Sequence, residues 1–387
     1  MQFADRMSRL GTETAFEVLA KAKALEAQGR EIIHLEIGEP DFDTPAHIVE
    51  AAIKALRDGQ THYTPSAGIP AVRQTIAEHI SRSRGVEVSP GEVVITPGAK
   101  PIMYFVIMAL LQAGDEAIYP DPGFPIYHSM INFVGAKAVP LPLREDKNFR
   151  FDPDEFRSLV TDKTRLIILN TPQNPTGGIL TRQDLEVIAD TIRGRDIMVL
   201  TDEVYEQILY EGEHASILSL PEMQPQTILL DGFSKTYAMT GWRLGYGVMP
   251  ETLAAHVAKL MVNSNSCTAA FTQLAGIAAL TGPQDEIKTM VNAFRKRRDV
   301  IVAGLNQIPG FRCANPGGAF YVFPNIEGTG MASKPLADYL LDKAGVALLS
   351  GDGFGIYGKG YVRFSYANSI ENIQKALARI NEAVAAL

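Results

Sequence analysis

The chain has 387 residues, of which 46% are hydrophobic and 21% charged, and its formal net charge at pH 7 is −8. This length exceeds one ordinary hydrophobic core, and the negative charge disfavours nucleic acid as the main partner. The two cysteines, Cys267 and Cys313, are far apart and form no CxxC pattern, so we expect neither disulfides nor a bound metal. The N-terminal sequence has no signal-peptide pattern and no apolar run approaches the roughly 20 residues of a membrane helix, which predicts a cytoplasmic protein without membrane contact.

Apolar strand patterns alternate with amphipathic helical patterns over most of the chain. The predicted strands are Glu92–Thr96, Glu116–Tyr119, Arg165–Asn170, Ile197–Asp202, Thr227–Asp231 and Leu244–Met249. The predicted helices between them are Pro45–Arg57, Ile69–Ser83, Lys100–Leu111, Thr181–Ile192 and Glu251–Val262. Several strands are apolar on both faces, so this alternation predicts an α/β domain with a mostly parallel central sheet covered by helices.

The pattern changes after about residue 285. A long charged helix (Gln284–Asn306) precedes the segment GGAFYVF, a helix near Leu336–Lys343, the segment YVRFSY and a final helix. This arrangement is typical of a smaller α+β unit, against which the predicted N-terminal helix Ala15–Ala27 can pack. We therefore predict a large domain of residues 46–285 and a small domain built from residues 1–45 and 286–387.

Reactive side chains follow two of the predicted strands, where ligands bind in open α/β sheets. Asp202 ends one strand, and its carboxylate requires either an ordinary cap or salt-bridge partner or a bound cation, such as the protonated ring nitrogen of a cofactor. Lys235 follows another strand, and burial can lower the pKa of its amine enough for Schiff-base chemistry. Arg243 lies eight residues further on and is a candidate phosphate ligand.

Two glycine-containing segments also follow strands. Thr171–Gly178, with the sequence TPQNPTGG, contains two prolines and two glycines, which fix either an unusual loop or a plain strand-to-helix turn. Pro97–Lys100, with the sequence PGAK, opens a predicted helix, and small residues there can expose backbone amides to a phosphate.

The segments NPTG, DEVY and SKTYAMTGWRLGY, in this order and spacing, resemble the class I/II aminotransferases of fold type I, the group that includes aspartate aminotransferase. The resemblance extends from LEIGEPDFDTP to YVRFSYANS. It implies a pyridoxal 5′-phosphate-dependent enzyme, with an amino acid and a 2-oxo acid as substrates. It also implies a homodimer in which the two subunits share their active sites.

The resemblance assigns a role to each matched residue. Lys235 matches the Schiff-base lysine that also moves the substrate proton, and Asp202 matches the partner of the pyridine nitrogen. The remaining cofactor-binding matches are Asn174 and Tyr205 at the phenolic oxygen, Phe124 stacked on the ring, Gly98, Ala99, Lys100, Ser234 and Arg243 at the phosphate, and Tyr63 reaching the phosphate of the other subunit. The substrate-binding matches are Arg363, Gly38 and Asn174 at the α-carboxylate and Lys100 at the side chain.

The implied reaction transfers the amino group of an L-amino acid to a 2-oxo acid, commonly 2-oxoglutarate, in two half-reactions. Lys100 favours aspartate or glutamate as the substrate, because a similar subgroup has a lysine there that can meet a distal carboxylate. Glu13 opposes this assignment, because it stands where that subgroup commonly has serine and can repel an acidic side chain. Alanine, other neutral amino acids and aromatic amino acids therefore remain alternatives.

Other functions fit the sequence less well. The same fold hosts lyases and synthases that share most of these residues, and their products distinguish them from aminotransferases. A cofactor-sensing regulator would also carry a DNA-binding module, for which the sequence before the first predicted helix is too short. A nicotinamide-dependent dehydrogenase is disfavoured because no GxGxxG motif follows the first strand of the large domain.

Overall fold

The computed structural model describes residues 1–387 and contains three sheets. The twelve strands are β1 (Ile33–His34), β2 (Val93–Thr96), β3 (Glu116–Asp121), β4 (Lys137–Pro142), β5 (Thr164–Asn170), β6 (Met198–Asp202), β7 (Thr227–Gly232), β8 (Gly245–Val248), β9 (Tyr321–Val322), β10 (Val346–Ala347), β11 (Leu349–Ser350) and β12 (Val362–Ser365). All six strands predicted from the sequence are present, with bounds that differ by one or two residues.

The thirteen α-helices surround the sheets. They are α1 (Thr14–Glu26), α2 (Ala46–Arg57), α3 (Pro70–Arg84), α4 (Lys100–Leu110), α5 (Pro125–Phe133), α6 (Pro153–Leu159), α7 (Arg182–Ile192), α8 (Phe233–Thr236), α9 (Glu251–Ser264), α10 (Ala270–Thr281), α11 (Asp285–Leu305), α12 (Ser333–Tyr339) and α13 (Ile370–Val384). None of them combines the length and the apolar composition that a membrane crossing requires.

The central sheet has seven strands in the order β2-β8-β7-β6-β5-β3-β4. β8 is antiparallel to both of its neighbours, β2 and β7, and every other pair is parallel. Helices and apolar clusters cover both faces, and the strands β2, β3, β6 and β7 are almost entirely buried. The predicted α/β architecture with a mostly parallel sheet is confirmed. The carboxyl ends of β5, β6 and β7 lie side by side and carry the polar residues singled out above.

The sequence prediction omitted β4, the strand at one edge of the sheet. This strand contains Pro140 and Pro142, which have no backbone N–H and weaken a strand pattern. The structure tolerates both prolines because β4 pairs only with β3 and lies at the edge. The prediction also omitted α5, α6, α8 and α10, of which α5 and α6 each begin with a proline at the first helical position.

The N-terminal segment joins the C-terminal part of the chain. β1 pairs in parallel with β10, and β12 pairs with β11 and β9 in a separate three-stranded sheet. One large apolar cluster joins residues of β1, such as Ile33, to residues of α11, β12 and α13, such as Phe294, Phe364 and Ile380. The domain division at residues 45 and 285 stays a prediction.

Candidate active site

A cavity with a volume of about 590 Å³ lies beyond the carboxyl ends of β5, β6 and β7. Its walls come from distant parts of the sequence, because α1, the segment after β1, β12 and the loop before β12 all contribute to it. Ligands of α/β proteins bind at this edge of the sheet. The polar groups that converge there therefore define the candidate site.

Asp202 is the last residue of β6, and its buried carboxylate lines the cavity. The hydroxyl of Tyr127 donates a hydrogen bond of 2.5 Å to Oδ2, and the backbone N–H of Val204 donates a longer one of 3.4 Å to Oδ1. Burial raises the pKa of Asp202 to about 6, although the bond from Tyr127 lowers it. The carboxylate has no ion-pair partner in the chain, so it is suited to receive a cation from a ligand.

Lys235 lies in α8, the single helical turn that directly follows β7. Its Nζ donates a hydrogen bond of 2.5 Å to the carbonyl oxygen of Gly38 and lies 5.9 Å from the ring centroid of Phe320. Burial lowers the pKa of Lys235 to about 8, and the positive charges of Arg363 and Arg243 act in the same direction. A substantial fraction of the amine is therefore unprotonated near neutral pH, as a nucleophile requires.

The start of α4 and the turn before β8 form an anion site. The guanidinium of Arg243 forms no ion pair in the chain, and it donates hydrogen bonds to the carbonyl oxygens of Thr240 (2.8 Å) and Pro97 (3.5 Å). Gly98 has a φ of +89°, and a Cβ there would lie 2.8 Å from Cζ of Arg243. Glycine at this position therefore allows the guanidinium to approach the backbone before α4. A free guanidinium beside a helix N-terminus is suited to bind a phosphate.

Arg363, in β12, is a buried guanidinium without a carboxylate partner. Its Nη1 donates a hydrogen bond of 3.1 Å to Oδ1 of Asn174, its Nη2 donates to the carbonyl oxygen of Glu36, and its Nε has no partner. The guanidinium lies 4.5 Å from the ring centroid of Tyr321 and 5.1 Å from that of Phe354. A buried cation with spare donors is suited to bind a carboxylate.

Comparison with known proteins identifies the family. The family model for aminotransferase class I and II matches residues 30–380. The chain belongs to the class I and II aminotransferases. It is 39% identical to the aspartate aminotransferase of Geobacillus stearothermophilus, with 98% of each chain covered, and 38% identical to an aromatic-amino-acid aminotransferase of Thermococcus litoralis, with 99% and 98% covered. The structure of Thermus thermophilus aspartate aminotransferase with maleate matches with a TM-score of 0.95 at 35% identity and covers 99% of this chain and all of that one.

The structure of this aminotransferase brings most of the predicted site residues into one cavity. Those lining it are Gly38, Ala99, Lys100, Phe124, Asn174, Asp202, Tyr205, Ser234, Lys235, Arg243 and Arg363. Gly98 lies directly behind this wall, against Arg243. Tyr63 lies apart from the cavity of its own chain, and 89% of its surface is exposed. The individual roles assigned to these residues stay predictions.

Several residues around the aminotransferase site were missed by the sequence analysis. Asn170 ends β5, and its Oδ1 accepts a hydrogen bond of 2.9 Å from the backbone N–H of Asn174. Its place at the end of an apolar strand was a signal that was overlooked. Tyr127 supports Asp202, and the hydroxyl of Tyr321 lies 2.8 Å from that of Tyr205. Phe354 ends the short 3-10 helix Gly351–Phe354, and no sequence pattern indicated its place at the site.

Proposed function

We propose that this aminotransferase uses pyridoxal 5′-phosphate and transfers the amino group of aspartate or glutamate to a 2-oxo acid such as 2-oxoglutarate. The observation that carries the proposal is one cavity with an amine of lowered pKa on Lys235 and an unpaired buried carboxylate on Asp202. The reaction requires a nucleophilic amine and an acid that holds a protonated ring nitrogen. The similarity to aspartate aminotransferases along the whole chain supports the substrate class.

The donor groups fit each part of this cofactor. Arg243 and the amides at the start of α4 suit the phosphate, and the Asp202 carboxylate suits the ring nitrogen. Phe124 offers an aromatic face beside the ring, while Tyr205 and Asn174 offer hydrogen-bond donors for the phenolic oxygen. When bound, the cofactor supplies an aldehyde carbon that bonds to amines and a ring that withdraws electrons from the substrate Cα.

The residues of the chain then have distinct tasks. Arg363 binds the substrate α-carboxylate through its spare donors, and Asn174 holds the guanidinium in place. With the cofactor bound, the Lys235 amine would serve as the base that takes the proton from the substrate Cα and as the acid that returns it. Asp202 keeps its negative charge beside the ring nitrogen, and Tyr127 keeps the carboxylate in position.

The side-chain pocket contains an ion pair between Lys100 and Glu13. Lys100 also lies 5.3 Å from the ring centroid of Phe124, so its ammonium group is close to the proposed cofactor position. The side chain of Lys100 is 47% exposed and that of Glu13 is 18% exposed, so the pair contributes little stability and can be displaced. We propose that the distal carboxylate of the substrate takes the place of Glu13 on Lys100.

Spectroscopy of the purified enzyme with its cofactor tests both parts of the proposal. L-aspartate, L-glutamate, L-alanine and L-phenylalanine are added one at a time without a 2-oxo acid, and the visible band of the lysine-linked cofactor is followed. Loss of the band with aspartate and glutamate, and its return with 2-oxoglutarate, supports the proposal. Release of ammonia and pyruvate without an acceptor would instead identify a lyase. Absence of any visible band with excess cofactor would refute the role of Lys235.

Two variants test the assignment of the side-chain pocket. Glu13→Gln removes the competing carboxylate, so the kcat/KM for aspartate should rise severalfold while that for alanine stays constant. Lys100→Met should lower the kcat/KM for aspartate about tenfold or more and leave that for alanine within about threefold. If Glu13→Gln changes both substrates equally and Lys100→Met changes neither, a neutral or aromatic substrate replaces aspartate in the proposal.

We also propose a cytoplasmic homodimer. Tyr63 is 89% exposed and lies apart from the cavity of its own chain, which supports its predicted role at the phosphate of a second subunit. Other large apolar side chains are also exposed, including Phe3, Met7, Phe16 and Val262. Sedimentation of the protein tests whether it is a dimer. Tyr63→Phe should weaken cofactor binding without dissociating the dimer.

A further inference from the structure

The end of β3 is hydrogen-bonded to the loop that precedes β12. The carboxylate of Asp121, the last residue of β3, accepts hydrogen bonds from the backbone N–H groups of Ile356 (3.1 Å) and Tyr357 (2.9 Å). The backbone N–H of Gly123 donates a hydrogen bond of 2.8 Å to the carbonyl oxygen of Phe354. These three bonds connect the central sheet to a segment that is more than 230 residues away in the sequence.

The connected loop is packed tightly onto the Asp121 side chain. Asp121 is fully buried, and a Cβ at Gly355 would lie 2.3 Å from its carboxyl carbon, too close for any real contact. Gly355 also has a φ of +125°, which residues with side chains rarely adopt. The turn of residues 121–124, with the sequence DPGF, and Gly355 of the loop therefore pack together as one unit.

This unit holds two aromatic side chains of the cavity. Phe124 follows Gly123 directly, and Phe354 directly precedes Gly355. The ring of Phe354 is buried, and its centroid lies 5.1 Å from the guanidinium of Arg363. Tyr321 covers the same guanidinium at 4.5 Å. Because Arg363 has no carboxylate partner, these rings and the hydrogen bonds to Asn174 and to the carbonyl oxygen of Glu36 determine how its guanidinium is oriented.

We propose that Asp121 is a positioning residue for substrate binding. It fixes residues 354–357, the Phe354 loop, and thereby aims Arg363 at the α-carboxylate of every substrate. The inference rests on the proposed function, in which Arg363 binds that carboxylate. Asparagine cannot replace Asp121, because its side chain offers only one oxygen and would direct an NH₂ group at the second backbone N–H. The loop can reach solvent when it is released, since Ile356 is 58% exposed, so the loss should be local.

Steady-state kinetics of the Asp121→Asn holoenzyme test the proposal. The KM values for the amino acid and for the 2-oxo acid should both rise about tenfold, while kcat at saturation stays within about threefold of the parent. The dissociation constant of maleate, a carboxylate that cannot react, should rise by a similar factor. The visible band of the bound cofactor should not change, whereas a general structural defect would alter it together with kcat.

Asp115→Asn is the matched control, because Asp115 precedes the opposite end of the same strand and should leave all these values unchanged. Arg363→Lys tests the proposed role of Arg363, on which this inference rests. If Arg363→Lys raises KM and Asp121→Asn does not, the positioning role is refuted and the proposed function stands. If Arg363→Lys leaves KM unchanged, the proposed role of Arg363 fails, and this inference fails with it.

A second variant approaches the same contact from the loop. Gly355→Ala places a methyl group against the Asp121 carboxylate and should displace the Phe354 loop. It therefore decides the question if Asp121→Asn yields no folded protein. A rise of KM for both substrates with an unchanged cofactor band supports the proposal, and an unchanged KM overturns it.

Discussion

Asp202 and Glu203 are neighbours at the end of β6, but their carboxylates have opposite surroundings. Asp202 lines the cavity, receives one strong hydrogen bond, and has a pKa that burial raises to about 6. Glu203 is fully buried, and burial would raise its pKa, but Arg84 and His214 outweigh burial and lower the pKa to about 2. It accepts five hydrogen bonds, from Arg84 (2.9 and 3.1 Å), His214 (2.8 Å), Thr201 (3.0 Å) and Ser216 (2.6 Å).

The contrast separates charged residues that are paired within the fold from charged residues whose groups are available to a ligand. The partners of Glu203 belong to the chain, and Arg84 also binds Glu206 at 3.0 Å, so the Glu203 carboxylate is satisfied without any ligand. On the cavity side, Asp202 and Arg363 have no partner of opposite charge. Unsatisfied charges at a functional site cost stability, and a bound cofactor and substrate can offset that cost.

The largest effect should come from the amine that shares the cavity with Asp202. Lys235→Ala removes the amine that we propose both links the cofactor and moves the substrate proton, so we expect kcat to fall by at least about 10⁴-fold. Single-turnover absorbance measurements with excess amino acid check this expectation. Lys100→Met, which removes another amine of the same cavity, should retain turnover of alanine. Activity of Lys235→Ala above about one per cent of the parent would contradict the assignment.

A substitution of Glu203 should instead lower the stability of the fold. Glu203→Gln leaves His214 and part of Arg84 without a charged partner in a buried environment, so the free energy of unfolding should fall by about 4 kcal/mol at pH 7. Because its pKa is depressed in the folded state, Glu203 stabilises the fold above pH 4.5, and this contribution is lost as the pH falls towards 2. Denaturant unfolding of the cofactor-free protein measures both the loss of stability in the variant and the pH dependence of the parent. Equal stability of parent and variant would remove the contrast.

Substitution of Asp202, on the cavity side, should have the opposite effect on stability. The pKa of Asp202 is about 6 in the folded protein and ordinarily 3.8, so the folded state loses stability as the pH rises from about 4 to about 6. Asp202→Asn removes the buried charge, and the cofactor-free protein should therefore gain about 3 kcal/mol at pH 8. Denaturant unfolding should show a clearly larger gain at pH 8 than at pH 4.5. A loss of stability at pH 8 would show that the carboxylate is already satisfied.

The sequence predicted the elements and residues that local pattern determines. Asp202 and Lys235 follow apolar strands, and parallel strands deliver such residues to one edge of a sheet. β4 escaped prediction because Pro140 and Pro142 are compatible only with an edge strand, and edge position is a property of the assembled sheet.

The parts of the site that escaped prediction depend on contacts between distant segments. Tyr127 is 75 residues from Asp202, and Tyr321 is 116 residues from Tyr205. Phe354 ends a short 3-10 helix, and the segment that follows it is hydrogen-bonded to Asp121, which lies 235 residues before Ile356 in the sequence. No periodic pattern encodes these contacts, because each one exists only after the sheet and the C-terminal strands have packed together.

The smallest expected effect concerns the pH dependence of cofactor loading. The pKa of Lys235 is lowered to about 8, chiefly by burial, so the free amine increases about tenfold between pH 7 and pH 9. The initial rate at which cofactor-free protein regains the visible band should rise by the same factor and level off above pH 9. Arg363→Gln removes one positive charge that lowers this pKa, so the rise should move to higher pH. A rate that rises without levelling up to pH 10.5 would show an amine with an ordinary pKa, and the cavity would then differ from the Glu203 cluster only at Asp202 and Arg363.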